Sequence, residues 1–309
     1  MAQACHNCPG RAYVAAAYTK WIEMSGARAV PIRFYVSDQE LRQLFESING
    51  LILPGGLTDL WLDDPYVVAA SKLVKWAEEA NAAGEVFPVW GTCLGHQLLQ
   101  VLATNASFEE LLVETDAVSH PSTLEFTPQA ATSKVFGTMF SKRSDLVESA
   151  ADPEENIIME NHEFGMPPAH YAEWPVLNRT FDILSTSRDR KGLEYVSTIE
   201  HQRFPFFGTQ WHPEKPPFEF SDNTIPHSHD AIAVSQHLSG VFMDYARRSK
   251  HRPVSVEEEL AMLIYNYHAV FTARDIVMEP SYDGPDITYF LDVVQADNGG
   301  LTSGLTKFN

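Results

Sequence analysis

The first residues able to do covalent chemistry lie in Phe87-Pro88-Val89-Trp90-Gly91-Thr92-Cys93-Leu94-Gly95-His96-Gln97. Val86 to Trp90 is an apolar run that reads as a buried strand. It stops at Gly91, after which Leu94, Leu98, Leu99 and Leu102 recur at helical spacing. A strand that turns sharply into a helix leaves its corner residue exposed on a strained backbone. Small residues two positions either side let the chain turn and a substrate approach, which is the pattern of a nucleophile elbow, here with Cys93 in the place of serine. The amides that open the helix, Leu94 first, would lower the thiol pKa and offer a donor to an oxyanion. The plainer alternative is a small apolar cysteine packed at a strand end, but it leaves both flanking glycines without a task.

A base and its orienter come from far along the chain. Phe206 to Trp211 reads as a strand ended by His212-Pro213-Glu214. Residues i and i+2 of an extended segment point the same way, and proline holds its predecessor extended, so His212 and Glu214 can face the elbow together. Pro54-Gly55-Gly56 closes another short apolar run. It reads equally as a plain turn or as bare backbone that brings the amide of Gly55 or Gly56 to an oxyanion. His162, in the polar stretch Glu160 to Phe164, is either a second imidazole for substrate or an ordinary loop residue. A thiol, an imidazole, a carboxylate and backbone donors are the parts of acyl transfer through a thioester.

The elements that must position these groups alternate. Arg11–Ser25 reads as a helix closed by Gly26, Ala29–Tyr35 as a strand, and Ser37 to Glu40 as a capping box opening a helix through Ile48. Leu51–Leu53 reads as a strand, and Asp64-Pro65 opens a third helix before the elbow strand. Such alternation means parallel strands with helices on both faces and sites at the strands' carboxyl ends. From Leu111 to His201, short antiparallel strands are expected. Asp230–Arg248 and Val256–Tyr265 read as helices, and Ile287–Val294 as a late strand. One domain over residues 1–297 is expected, with a frayed tail over 298–309.

Composition narrows the partners. With 22 basic against 41 acidic residues the net charge is −19, which argues against a nucleic-acid partner, because phosphate binding needs a basic face and no Lys/Arg cluster occurs. No apolar run is long enough to cross a membrane. Cys5-His6-Asn7-Cys8 is a lone CxxC without a second ligand pair, so it reads as two ordinary thiols or a bridge in an oxidising compartment. His227, His229 and His237 lack acidic or thiol partners at ligand spacing, so no metal is expected. Residues 1–20 show no basic segment followed by an apolar one. Asn105 and Asn178 open glycosylation triplets, which matter only in the secretory path.

Gly-Thr-Cys-Leu-Gly at 91–95 with Gln-Trp-His-Pro-Glu-Lys at 210–215 resembles the class I glutamine amidotransferase-like proteins. With Pro216 to Phe220, Ser47 to Gly56 and Ala15 to Tyr18, the chain is similar to the γ-glutamyl hydrolases of peptidase type C26. That resemblance implies an α/β, flavodoxin-like three-layer sandwich with a mostly parallel central sheet. It implies Cys93 as nucleophile, His212 as base, Glu214 as its partner, His162 as a further essential imidazole and Tyr18 as a substrate contact. The implied reaction is hydrolysis of γ-glutamyl bonds in poly-γ-glutamyl folates, without metal or organic cofactor, by a homodimer that is lysosomal, vacuolar or secreted. His96-Gln97 departs from many of these hydrolases, which carry an aromatic residue and Glu there. Gly-His-Gln is the amidotransferase form, in which that Gln contacts substrate glutamine. A glutaminase domain feeding ammonia to a synthetase is therefore the alternative, although the extension from Lys215 to Phe220 speaks against it. A non-catalytic ligand-binding relative is a third class. The resemblance also sets the family's first core strand ahead of Met1, so a gap or unpaired edge is expected in the sheet. An anionic substrate needs local positive charge, for which Lys215 and Arg11 are the candidates.

Overall fold

The computed structural model describes residues 1–4, 10–273 and 284–292. Cys5, Cys8 and the tail expected over 298–309 lie outside them. Numbered along the chain, the early strands are β1 (Gln3–Ala4), β2 (Ala12–Ala15), β3 (Leu51–Leu53), β4 (Val89–Thr92), β5 (Val113–Ser122) and β6 (Glu125–Phe126). The later ones are β7 (Ile158–Gly165), β8 (Phe181–Arg188), β9 (Glu194–His201), β10 (Phe206–Thr209), β11 (Ala269–Phe271) and β12 (Ile287–Leu291).

Alternation of strand and helix along the first hundred residues gives the parallel half of the central sheet. Its order is β3-β4-β10-β9-β8-β6, with β3, β4 and β10 parallel and the other three antiparallel. Leu53, Gly91 and Gly208 lie abreast. The three parallel strands therefore end at one level and deliver Pro54-Gly55-Gly56, Cys93 and His212 to a common rim, as open parallel sheets do.

Side chains alternate across this sheet into two cores. Leu51, Leu53, Val89 and Phe206 pack on one face with the helices Asp38–Ser47, Pro65–Ala82 and Leu94–Thr104. Ile52, Trp90 and Phe207 pack on the other with Ala16–Glu23 and His229–Ala246. Trp90 is fully buried against Trp21, ring centroids 5.2 Å apart; truncating it to alanine is expected to cost about 3–5 kcal/mol. Three layers result.

Several helix starts follow their sequence signals. The Ser37 hydroxyl accepts from the Glu40 amide and the Asp64 carboxylate from the Tyr66 amide, which caps two helices. Gly26, at φ +88°, sits just beyond the helix Ala16–Glu23.

Three expectations are corrected. Residues 11–25 are not all helix, because Ala12–Ala15 forms β2 and pairs with distant β12. Residues 29–35 form no strand. Their ladder bonds are few: Ile32 O accepts from the Ala2 amide at 2.9 Å, while the Met1 amine donates to Ile52 O at 2.6 Å. Met1 and Ala2 thus lie between that stretch and β3, beside a cavity of about 400 Å³ bounded also by Val30, Ile48 and Met243. Finally, Glu160–Phe164 is no loop but the centre of β7, paired antiparallel with β5.

Candidate active site

Cys93 has φ +51° and ψ −107°, a conformation sparsely allowed for a non-glycine residue, at the joint between β4 and the helix Leu94–Thr104. Its amide is held by Thr209 O at 2.7 Å, so neighbouring β10 fixes the corner. The flanking glycines are steric necessities: a Cβ on Gly95 would strike Leu53 O, and one on Gly91 would strike Gly95 O. Cys93 is buried, and its thiol donates to Asn161 O at 3.6 Å.

His212 follows β10. Its Nδ1 lies 2.6 Å from Glu214 Oε1, and both side chains are buried. The pair meets through a turn, since Glu214 is in the right-handed helical region and opens the short helix Lys215–Phe218; the extended i, i+2 arrangement is corrected. Burial alone would lower the imidazole pKa. The Glu214 carboxylate and the Cys93 sulfur outweigh it and raise it to about 10. His212 Nε2 has no other protein partner and faces the sulfur.

Gly55 marks where these groups converge. A Cβ there would lie 2.8 Å from Tyr18 Oη, 2.9 Å from His212 Cε1 and 3.1 Å from Cys93 Cβ. Its amide donates to Tyr18 Oη at 2.8 Å. Burial, Glu214 and Cys93 push the Tyr18 phenol well above its ordinary value. Gly56 packs against Gln3, whose amide nitrogen donates to Pro54 O at 3.1 Å and to Tyr66 Oη at 2.9 Å. Gln3 thereby anchors the whole turn, and no sequence signal marks it.

The model of the family described as Peptidase C26 matches residues 1–214. The chain belongs to that family. Among its relatives, γ-glutamyl hydrolase of Mus musculus is 37% identical over 274 residues, covering 88% of this chain and 83% of its own. Gamma-glutamyl hydrolase B of Dictyostelium discoideum is 34% identical, with 88% and 77% covered. The Homo sapiens γ-glutamyl hydrolase is 34% identical, with 86% and 80% covered. The chain is thus a C26 peptidase whose α/β fold has a mixed central sheet between helices.

Within this candidate site, His162 follows Asn161, whose carbonyl takes the Cys93 thiol, and Gln97 lies on the helix that Cys93 opens. His162 is buried, its Nε2 3.1 Å from Glu160 Oε2 and its Nδ1 3.1 Å from Thr115 Oγ1, and its ring meets Tyr195 edge-on. Both ring nitrogens therefore have protein partners. Gln97 donates to Phe164 O at 2.7 Å and to Gln210 Oε1 at 3.2 Å, tying the nucleophile's helix to β7. His96 is completely buried, and burial pulls it down to about 3, so it stays neutral. Thr115 and Gln210 escaped the sequence reading because their partners, His162 and Gln97, come from distant elements, and Glu160 because the polar stretch it shares with His162 reads as a loop.

Lys215 is half-buried next to Glu214; the Asp222 carboxyl is held low, against burial, by hydrogen bonds from Ser119 and Thr224 before Lys215 adds to them. Arg11 is exposed and lies over the Tyr35 ring, 4.0 Å from its centroid. His227 and His237 meet the carbonyls of Pro216 and Val135, and His229 meets Asp230. Among the described residues, no three His, Cys, Asp or Glu side chains group as a metal site, and no helix is long and apolar enough to cross a membrane.

Proposed function

We propose that this C26 peptidase hydrolyses γ-glutamyl bonds in poly-γ-glutamyl folates through a thioester on Cys93. One observation carries the reading: a cysteine at φ +51° on the sheet's rim, backed by a buried His212–Glu214 pair 2.6 Å apart. His212 has already taken the thiol proton when Cys93 Sγ attacks the γ-carbonyl carbon. With its pKa raised to about 10, His212 keeps that proton until the leaving nitrogen collects it as the C–N bond breaks. Water then gives a proton to His212 and attacks the thioester carbon; the C–S bond breaks, His212 returns that proton to the sulfur, and the freed carboxyl group ionises to solvent. Glu214 fixes the imidazole, and the amides of Leu94, Gly55 and Gly56 are the candidate donors to the oxyanion.

The reading extends, by family resemblance, to a homodimer in a lysosome, a vacuole or outside the cell. Light scattering and cell fractionation test those two points. For the reaction, the protein is incubated with a pteroyl poly-γ-glutamate alongside Cys93→Ala. Wild-type protein is expected to release glutamate or short polyglutamates, and the variant to lose at least roughly a thousandfold in kcat. Equal turnover by both overturns the mechanism.

A further inference from the structure

The turn that carries Gly55 and Gly56 continues outward as an apolar rim. Thr58 and Leu60 are buried, whereas Leu57, Asp59 and Trp61 alternate with them on the outer side. Leu57 is 86% exposed, only two residues (about 7 Å of chain) from the glycine that touches both Cys93 and His212. Trp61 is 43% exposed and stands edge-on to Phe108, ring centroids 5.1 Å apart. Phe108 in turn meets Phe164 of β7 at 6.2 Å. Phe164 O accepts from Gln97 on the helix that Cys93 opens, so the row from Trp61 through Phe108 to Phe164 reaches the site on the same side as β7. Isolated exposed apolar residues need no explanation, but a contiguous patch beside a reactive centre does.

Charge narrows what the rim can hold. Residues 55–64 and 104–115 contain Asp59, Asp63, Asp64, Glu109, Glu110 and Glu114 and no Lys or Arg. A chain of glutamate carboxylates is repelled there. The cation nearest the His212–Glu214 pair in sequence is Lys215, on a different segment from this rim. A planar uncharged ring fits: it can lie against the open side of Trp61 and the Leu57 side chain without meeting a carboxylate as a charge.

Resting on the γ-glutamyl hydrolase reading, we propose that Leu57, Trp61 and Phe108 form an aromatic subsite. It holds the neutral ring system attached to the amino side of the first glutamate, which directs the polyanionic tail away from this rim. The subsite acts on binding and leaves the reacting groups untouched.

The experiment compares pteroyl-γ-glutamylglutamate with the ring-free dipeptide γ-glutamylglutamate. Trp61→Ala is expected to raise KM for the ring-bearing substrate roughly five- to tenfold, with kcat unchanged and the dipeptide unaffected. Trp61→Phe restores most of that loss, and the more exposed Leu57→Ser reproduces it in part. A Trp61→Ala variant that shifts both substrates equally, or neither, overturns the subsite. Calorimetry with the pteroyl compound on Cys93→Ala, with and without Trp61→Ala, reads binding without turnover. If wild-type protein cleaves neither substrate, the function proposed above falls. If it cleaves both and Trp61→Ala does not discriminate between them, only the subsite falls.

Discussion

The Gly55 amide donates to the Tyr18 hydroxyl at 2.8 Å, so one candidate oxyanion donor is engaged before substrate arrives. An incoming oxyanion either takes that amide from the phenol or receives the phenol's own proton. Only in the second case does Tyr18 join the donor set, and its raised pKa keeps the phenol protonated for that role. Tyr18→Phe is expected to lower kcat by roughly tenfold with KM nearly unchanged, the effect of one buried hydrogen bond. Steady-state kinetics on a γ-glutamyl substrate reads this, and an unchanged kcat removes Tyr18 from the set.

His212 is raised to about 10 against the pull of burial, by Glu214 and by the Cys93 sulfur. The upper limb of the kcat/KM profile should therefore fall as pH passes about 10, where the imidazole gives up its proton. Glu214→Gln removes one of the two raising charges and leaves the burial. The limb is expected to move to lower pH, and maximal activity to drop by about a hundredfold or more. A limb that stays in place assigns it to another group.

How much of this arrangement is legible in the chain depends on how local each cause is. The elbow can be read because its steric demand acts within five residues: Gly91 and Gly95 are needed where Cys93 turns the backbone. The common rim can be read because strand–helix alternation implies parallel pairing. β7 cannot, since Glu160-Asn161-His162-Glu163 is polar, and only in the strand paired with β5 do Glu160 and His162 come together in a buried contact while Glu163 stays exposed. Ala12–Ala15 continues the apolar spacing of a helix, yet β12, more than two hundred residues on, claims it as a strand. Gln3 is the extreme case: one polar residue whose three partners, Pro54, Thr58 and Tyr66, all come from the turn it fixes and the helix after it.

Glu160 is wholly buried, with His162 Nε2 against one oxygen and no partner on the other. It is a positioning residue: it holds the imidazole of a strand whose Asn161 carbonyl receives the Cys93 thiol. Glu160→Ala leaves that ring nitrogen unpaired and is expected to cost about 1–3 kcal/mol of stability and roughly tenfold in kcat. Glu160→Gln keeps an acceptor facing Nε2 and should recover most of the melting temperature. Thermal unfolding and kcat measured on both variants check this; equal damage in the two means that the carboxylate's charge, and not its placement of His162, is what matters.

Glu219 follows the helix Lys215–Phe218 and accepts from the Asp286 amide at 2.6 Å. Burial pushes its carboxyl up to about 7 from an ordinary 4.5, against the pull of Lys215. The folded state then binds more protons than the unfolded one between those two values, so stability falls as pH rises from about 4.5 to about 7. The loss across that window is at most about 3 kcal/mol. Glu219→Gln keeps an oxygen for the Asp286 amide and removes the titration. The variant should unfold at a urea midpoint nearly independent of pH over that window and outlast wild-type protein at pH above about 7. Parallel pH dependence in both proteins would assign the slope to a different buried group.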